Sequence, residues 1–210
     1  MRHLGRYDEA LAHHQRALAV FQKQLGERHQ LVAGTLEHEG GVLLDMGRAE
    51  DGLALLERAL PMFEAALGAD SLDATRCRIN LADALRRTGR FRQALPHDRR
   101  ALEAAEAALG PDSLYGAFAS MGIGQDLLGL RRPDEAVAPL ERAVDRMDAS
   151  AADPVELARA RFALARALSG RGHPPVRARE LADTARAALA SETGEAATLR
   201  GSIDRWLEHP

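Results

Sequence analysis

The histidines and the single cysteine carry the most reactive side chains of this sequence, as possible metal ligands, proton carriers or nucleophiles. His13 and His14 are adjacent, and adjacent residues of a helix point to different faces. Neither they nor His38 form the i, i+4 pair with a carboxylate base that a helical zinc site needs. Cys77 lies on an alanine-rich helix face with no histidine near it in sequence, which is typical of a small packed residue. The sequence therefore predicts no metal, no cofactor and no catalytic residue.

Phosphoryl-transfer motifs are missing as well. The chain has no glycine-rich phosphate loop, no Val-Ala-Ile-Lys strand and no His-Arg-Asp loop. An enzyme with a groove-based site is the third of three hypotheses, because it lacks any motif. The first is a scaffold that binds a peptide or protein segment, and the second is a self-association or regulatory module of a larger protein. We expect no enzyme.

Composition narrows the class of protein. The sequence contains 28 lysines and arginines and 31 aspartates and glutamates, a net charge of -3, so it lacks the basic footprint of a nucleic-acid binder. Alanine and leucine dominate a hydrophobic fraction of 46%, and aromatics reach only 4%, which favours packed helices over strands. A lone cysteine fits a reducing compartment, and no apolar stretch is long enough to span a membrane. We expect an all-α cytoplasmic protein without nucleic-acid or membrane partners.

The elements that must position these side chains repeat with a constant step of 42 residues. Gly5-Arg6-Tyr7 recurs as Gly47-Arg48-Ala49 and as Gly89-Arg90-Phe91. A fourth turn is reduced to Leu130-Arg131-Arg132-Pro133, and a fifth, at 171–175, has gained a residue. Because the flanking Asp-Glu-Ala and Arg-Ala patterns keep their phase at the fourth turn, the register is predicted to survive the lost glycine.

Each period predicts a pair of helices. The first spans about Leu72 to Arg87 in the clearest copy and ends at Thr88-Gly89, because glycine readily accepts the left-handed conformation that closes a helix. The second spans Arg90 to Leu109 and carries small residues, such as Ala94, on the face that approaches its partner. The chain is therefore predicted to be a row of helical hairpins.

The turn glycine, the aromatic, Asp-Glu-Ala and the later Arg-Ala-Leu resemble the tetratricopeptide repeat, as in Gly5 to Ala10 and Arg16-Ala17-Leu18. The standard unit of that repeat has about 34 residues. The longer unit here, which ends in Leu-Gly and leads into Asn80-Leu81-Ala82, is similar to the kinesin-light-chain subclass. His29 keeps the histidine of that subclass's His-Pro linker, but Gln30 replaces the proline, so the likeness is to a divergent form. The resemblance covers about residues 4–190 and implies a binding protein of bacterial signalling.

A second resemblance concerns the C-terminal stretch. The segment from Ala158 to Leu207, with Ala167-Leu168 and Ile203-Asp204-Arg205-Trp206-Leu207, is similar to the tetratricopeptide tails of large bacterial serine/threonine kinases. If the parent protein is such a kinase, its catalytic domain lies elsewhere, because this sequence lacks the motifs.

The expected architecture is one right-handed α-solenoid of antiparallel helical hairpins over residues 1–210. Its parts are a half repeat at about 4–26, repeats at about 29–68, 71–110, 113–152 and 154–191, and a capping helix at about 195–208. The half repeat lacks the helix that should precede it, so Leu11, Leu18 and Phe21 are expected to be under-covered. That suggests a fragment, a short gene product derived from a longer one, or a homo-oligomer in which a second copy covers this face.

Candidate binding residues follow from the resemblance, because the first helix of each hairpin lines the concave groove in such repeats. They are Arg76, Asn80, Asp83, Arg87, Phe118, Met121, Gln125, Arg159, Phe162 and Arg166, and the preceding repeat adds Gly34, Glu37, His38, Gly41 and Asp45. Asn80 matches the family asparagine that bonds the backbone of a bound peptide. The arginines could pair bidentately with carboxylates, so the resemblance implies a partner segment with acidic and apolar residues.

Two structural interpretations of these residues remain open beside the binding one. The arginines could instead pair with neighbours on their own helix, as Arg87 could with Asp83 at i+4 spacing. Phe118, Met121 and Phe162 lie at helical spacing and could belong to the core. A single sequence does not decide between these interpretations.

Overall fold

The computed structural model describes residues 7–170 and 176–208, and all regular structure in these ranges is α-helical. The helices are α1 (Tyr7–Leu25), α2 (Gln30–Asp45), α3 (Ala49–Leu67), α4 (Leu72–Arg87), α5 (Phe91–Leu109), α6 (Leu114–Gly129), α7 (Pro133–Ala149), α8 (Pro154–Leu168), α9 (Val176–Ala188) and α10 (Glu195–Glu208). The predicted bounds Leu72–Arg87 are confirmed, and the helix expected from Arg90 begins one residue later.

The first helix of each hairpin begins at a side-chain cap that recurs with the period. The Ser71 Oγ accepts from the Ala74 amide at 3.3 Å, and the Ser113 Oγ accepts from the Gly116 amide at 3.1 Å. His29 takes this role one period earlier, where its Nδ1 accepts from the Leu31 amide at 3.2 Å. The first amides of a helix have no carbonyl partner within that helix. The caps accept from these amides and so fix the residues at which α2, α4 and α6 begin.

The turns inside the hairpins keep one geometry even where glycine is lost. Gly89 has φ 76, and the next amide, of Arg90, donates to the Leu85 carbonyl at 2.8 Å. Arg131 stands at the equivalent position with φ 61, and the Arg132 amide donates to the Leu127 carbonyl at 2.8 Å. The predicted register at this turn is therefore confirmed, at the cost of a left-handed non-glycine residue. The fifth turn, at 171–175, lies outside the described residues.

The chain divides into two compact units, Met1–Ala108 and Leu109–Pro210, called unit 1 and unit 2 below. The core of unit 1 joins α2, α3 and α4 through fully buried leucines such as Leu36 and Leu56, with alanines where the helices approach most closely. A core cluster in unit 2 joins α8, α9 and α10. One solenoid over 1–210 with the predicted repeat bounds stays a prediction.

The helices at the two ends of the described chain differ in how they are covered. In α1 only Ala10 is buried, Leu11, Leu18 and Phe21 are half-buried, and Val20 is 49% exposed. In α10, Ile203 is fully buried against α8 and α9, and Trp206 packs beside it. The fold thus gives the two ends the unequal coverage that the sequence predicts.

Across residues 7–170 and 176–208, no helix is long and apolar enough to cross a membrane. In the same ranges, no group of three or more histidine, cysteine, aspartate or glutamate side chains is placed to hold a metal ion.

Candidate functional site

A buried carboxylate organises the α2–α4 surface of unit 1, the side that carries Glu37, Arg76, Asn80, Asp83 and Arg87. Arg76 donates from Nε to Glu37 Oε1 at 2.9 Å and from Nη2 to Glu37 Oε2 at 2.6 Å. Asn80 donates from Nδ2 to Glu37 Oε1 at 2.9 Å. The Glu37 side chain is only 1% exposed, so two of the predicted binding residues are held by an internal carboxylate.

The helix geometry explains this cluster. Arg76 and Asn80 are four residues apart on α4 and lie on one face, and α2 runs beside α4 with Glu37 turned towards them. Glu37 precedes them by 39 and 43 residues, values that bracket the 42-residue period. The sequence predicts Glu37 on the groove but indicates no partner for it. A carboxylate about one period before an arginine is the sequence pattern that would have predicted this ion pair.

The other arginines of α4 are also engaged. Arg87 donates from Nε to Asp83 Oδ2 at 2.8 Å and from Nη1 to the Leu44 carbonyl at 3.1 Å, so the i+4 pairing left open above does form. Arg78 donates to Glu64 on α3, and Arg86 donates to Asp98 on α5. Every arginine of α4 therefore donates to a carboxylate of unit 1, which leaves this surface less basic than the resemblance implies.

In unit 2 the α6–α8 surface carries Phe118, Met121 and Gln125 on α6, and Arg159 and Arg166 on α8, and these two helices contact each other. Phe118 and Gln125 are half-buried, and Met121 is 6% exposed. The α6 sequence contains no arginine or lysine, and its one carboxylate is buried. This helix therefore presents a mainly apolar face.

The arginines of α8 differ in their pairing. Arg159 lies 3.4 Å from a Glu156 oxygen and 3.5 Å from a Glu195 oxygen. Arg161 donates to Asp148 at 2.8 Å. Within residues 7–170 and 176–208, no hydrogen bond or ion pair is formed by the Arg166 side chain. Arg166 is exposed, yet surrounding protein displaces part of its hydration, and this desolvation lowers the pKa of its guanidinium.

Phe162 occupies a different environment from the other predicted binding residues. Its ring is 7% exposed and lies edge-on to Trp206, with the ring centroids 6.0 Å apart at an interplanar angle of 83°. It belongs to the core cluster that joins α8 to α10. The packing of α10 over α8 thus places this ring in the core, the interpretation that the sequence left open, and does not offer it to a ligand.

Cys77 and the histidines form no reactive centre in the described part of the chain. Cys77 is fully buried, and burial raises the pKa of its thiol, which disfavours the thiolate. The His14 and His38 rings stack across the contact between α1 and α2, with centroids 5.8 Å apart. This arrangement is one of packing, and the two rings have no third metal-ligating side chain among residues 7–170 and 176–208.

Comparison with known sequences identifies the repeat. A family model described as tetratricopeptide repeat matches residues 31–107 and 78–149, and a second tetratricopeptide-repeat model matches residues 1–31. No curated protein matches the chain. The matched ranges include most of the hairpins described above.

Solved structures of similar fold include kinesin-light-chain-like proteins. BtubC (BKLC) from P. vanneervenii superposes with a TM-score of 0.67 at 19% identity, over 95% of this chain and 75% of that one. A Podosopora anserina protein described as a kinesin-light-chain candidate with nearly identical repeats superposes at 0.69 and 18% identity, over 91% and 92%. A Rap protein complexed with competence and sporulation factor superposes at 0.70 and 17% identity, over 94% and 58%. These likenesses support the predicted all-α, tetratricopeptide-like solenoid fold, which kinesin-light-chain-like proteins share, whereas membership of that subclass and the resemblance to kinase tails stay predictions.

Proposed function

The chain belongs to the tetratricopeptide-repeat family, and from that premise we propose that it is a scaffold whose α6–α8 surface binds a segment of a partner protein. Tetratricopeptide folds are generally scaffolds for protein interaction and typically have no enzymatic activity. The Rap protein of similar fold has been solved with competence and sporulation factor bound, which supports a ligand-binding role for this architecture. The proposed setting is cytoplasmic bacterial signalling.

The observation that carries the proposal is that the Arg166 side chain has no carboxylate partner within the described ranges. On α4 and α8 every other arginine forms an ion pair with a carboxylate. A guanidinium that is partly desolvated and unpaired gains more from a ligand carboxylate than one already neutralised. Arg166 is therefore the proposed anchor for an acidic group of the ligand.

The neighbouring side chains complete the proposed ligand chemistry. Phe118 is half-buried and offers apolar contact, whereas Met121 is buried and, like Phe162, belongs to the core. Gln125, also half-buried, can both donate to and accept from an extended backbone. A segment that places an apolar residue near Phe118 and a carboxylate near Arg166 fits this surface. Arg159 is proposed to contact the ligand only through the part of its side chain left open by Glu156 and Glu195.

A peptide selection tests this proposal on the whole chain. Randomised twelve-residue peptides are selected against the unmodified protein, and the affinities of the enriched peptides are measured by calorimetry for Arg166→Glu. Loss of a charged, bidentate contact is expected to weaken binding about 10- to 100-fold. Arg179→Glu is the matched control, because Arg179 is exposed on α9 and, like Arg166, has no ion pair among the described residues. Binding that is equally strong in Arg166→Glu contradicts the proposal.

Self-association is a second candidate, favoured by the thin coverage of α1. Val20 is 49% exposed, and Leu18 and Phe21 are only half-buried although they pack on the unit 1 core. A second copy that covers this face would dimerise the protein. Sedimentation over a range of concentrations is expected to show a dimer that Val20→Ser weakens, with Leu67→Ser, at an exposed apolar site on α3, as the control. A monomer at high concentration would exclude it.

A further inference from the structure

Glu37 occupies the donor groups that the predicted site would otherwise present to a ligand carboxylate. It receives a bidentate pair from Arg76 and a third hydrogen bond from Asn80, all at 2.6 to 2.9 Å. Both donors lie on α4 and are accessible from the α2–α4 surface, since the Arg76 side chain is 35% exposed. Glu37 itself is almost fully buried. The arrangement is that of an acidic ligand already bound, except that the carboxylate belongs to the protein.

We propose that Glu37 sets the ligand specificity of the α2–α4 surface by filling its carboxylate-binding donors, so that this surface rejects acidic segments. The inference rests on the proposed binding function and names the ligand chemistry of a second surface in unit 1. It also removes Arg76 from the arginines expected to bind an acidic partner, while Arg166 on the α6–α8 surface keeps that role.

Competition between carboxylates is the physical reason. The Glu37 carboxylate is attached to α2 and is always present, at an effective concentration in the millimolar range or above. A ligand carboxylate that displaced it would leave Glu37 buried without its partners, which disfavours the exchange. Asp73, whose side chain is 45% exposed, places a second carboxylate of the protein 3.1 Å from Arg76 Nη2. A ligand that places no carboxylate near Arg76 does not compete with Glu37 or Asp73.

The repeat itself indicates that Glu37 is not needed for the fold. One and two periods of 42 residues further along, the equivalent positions hold Ile79 and Met121. The helical hairpin thus accepts an apolar residue at this place, and a glutamate occurs where Arg76 and Asn80 are available to it. The glutamate at this place is therefore tied to Arg76 and Asn80 and is not a requirement of the repeat in general.

Every sample is the whole chain with Arg166→Glu, so that any peptide binding by the α6–α8 surface is the same in all of them. Fluorescein-labelled hexaglutamate and hexaglutamine peptides are titrated by anisotropy with this parent, with Glu37→Met and with Glu37→Gln. We expect Glu37→Met to bind hexaglutamate about tenfold more tightly than the parent, since one bidentate charged contact becomes available. Addition of Arg76→Gln is expected to remove the gain, and hexaglutamine is expected to show none.

Each outcome decides the inference. A Glu37→Met variant with native circular dichroism and no gain in hexaglutamate binding overturns it. If both Glu37 variants lose their helical signal, Arg76→Gln in the parent decides the inference. Unchanged hexaglutamate binding supports it, because Arg76 is then already occupied by Glu37, and lost binding overturns it. The proposed function fails separately, through the peptides selected against the unmodified chain, because Arg166→Glu is common to all samples here.

Discussion

Gly40 on α2 and Gly52 on α3 face each other so closely that a Cβ at position 52 would clash with the backbone of α2 and one at position 40 would crowd α3. A Cβ at position 52 would lie 2.8 Å from the Gly40 carbonyl oxygen and 3.1 Å from Leu44 Cδ2. A Cβ at position 40 would lie 3.0 Å from Leu56 Cγ. Because α2 carries Glu37 three residues before Gly40, this backbone contact also fixes the position of the carboxylate along α2 relative to α3.

Gly52→Ala tests that contact. The added methyl meets backbone, which cannot swing aside, so we expect the free energy of unfolding to fall by about 1–3 kcal/mol. Urea denaturation followed by circular dichroism measures the change. Gly201→Ala is the control, because a Cβ there meets nothing within 4 Å, and alanine in a helix is expected to stabilise by about 0.5–1 kcal/mol. Equal effects at the two sites would show that helix propensity, and not the close approach, governs position 52.

Asp98→Asn tests the ion pair with Arg86. Asp98 is fully buried and Arg86 nearly so, and removal of the carboxylate charge leaves the guanidinium poorly compensated. We expect a loss of about 3 kcal/mol in the free energy of unfolding. Asp70→Asn is the matched control, because Asp70 pairs with Arg100 at 2.6 Å where both side chains are about half exposed, and such pairs contribute about 0–1 kcal/mol. A similar loss in both variants would argue against burial as the cause.

His97→Gln tests a pH effect in unit 1. Desolvation by burial, with a smaller contribution from the charge of Arg78, lowers the pKa of His97, while Glu64 and Glu57 act in the opposite direction. The unfolded chain then binds a proton more readily than the folded one, so stability is greatest above pH 6.5, the ordinary value, and falls as the pH drops below it. Urea midpoints at pH 7.5 and 5.5 should differ less in His97→Gln than in the unmodified chain. Gln93→Ala on the same helix should leave the difference unchanged.

Cys77 offers a test of core integrity. Its thiol is fully buried with a raised pKa, so Ellman's reagent should label the native protein slowly and the urea-unfolded protein at once. Ala54→Cys in a Cys77→Ala background, at an exposed site on α3, should react rapidly without denaturant. Rapid labelling of Cys77 in the native protein would contradict the packing of α4 against α3.

The helices could be predicted from the sequence because their signals are local. Ser71 caps α4, Gly89 closes it, and the same residues recur at fixed spacing, so the bounds Leu72–Arg87 and Glu195–Glu208 agree with the structure. The register at the fourth turn, where Arg131 is left-handed, could be predicted too, because the 42-residue period continues across that turn. The 42-residue period is therefore enough to predict these features without information on tertiary contacts.

The candidate site was less predictable because its partners come from other helices. Nothing local to Arg76 shows that Glu37 turns towards it, and nothing in α8 shows that Trp206 covers Phe162. The distinction between Arg159, which reaches Glu195, and Arg166, which has no partner in the described ranges, depends likewise on how α10 packs. Residue type therefore indicated which side chains could bind, and packing decided which of them are already engaged.

The arginines of α4 also affect how cooperatively unit 1 unfolds. Arg76 and Arg87 reach α2, Arg78 reaches α3 and Arg86 reaches α5, so one helix is bonded to three others. In repeat proteins such nearest-neighbour terms determine whether hairpins melt singly or together. Helices α2 to α5 should therefore exchange their amide hydrogens in one slow, cooperative step, while α1, with a single buried residue, opens first and on its own.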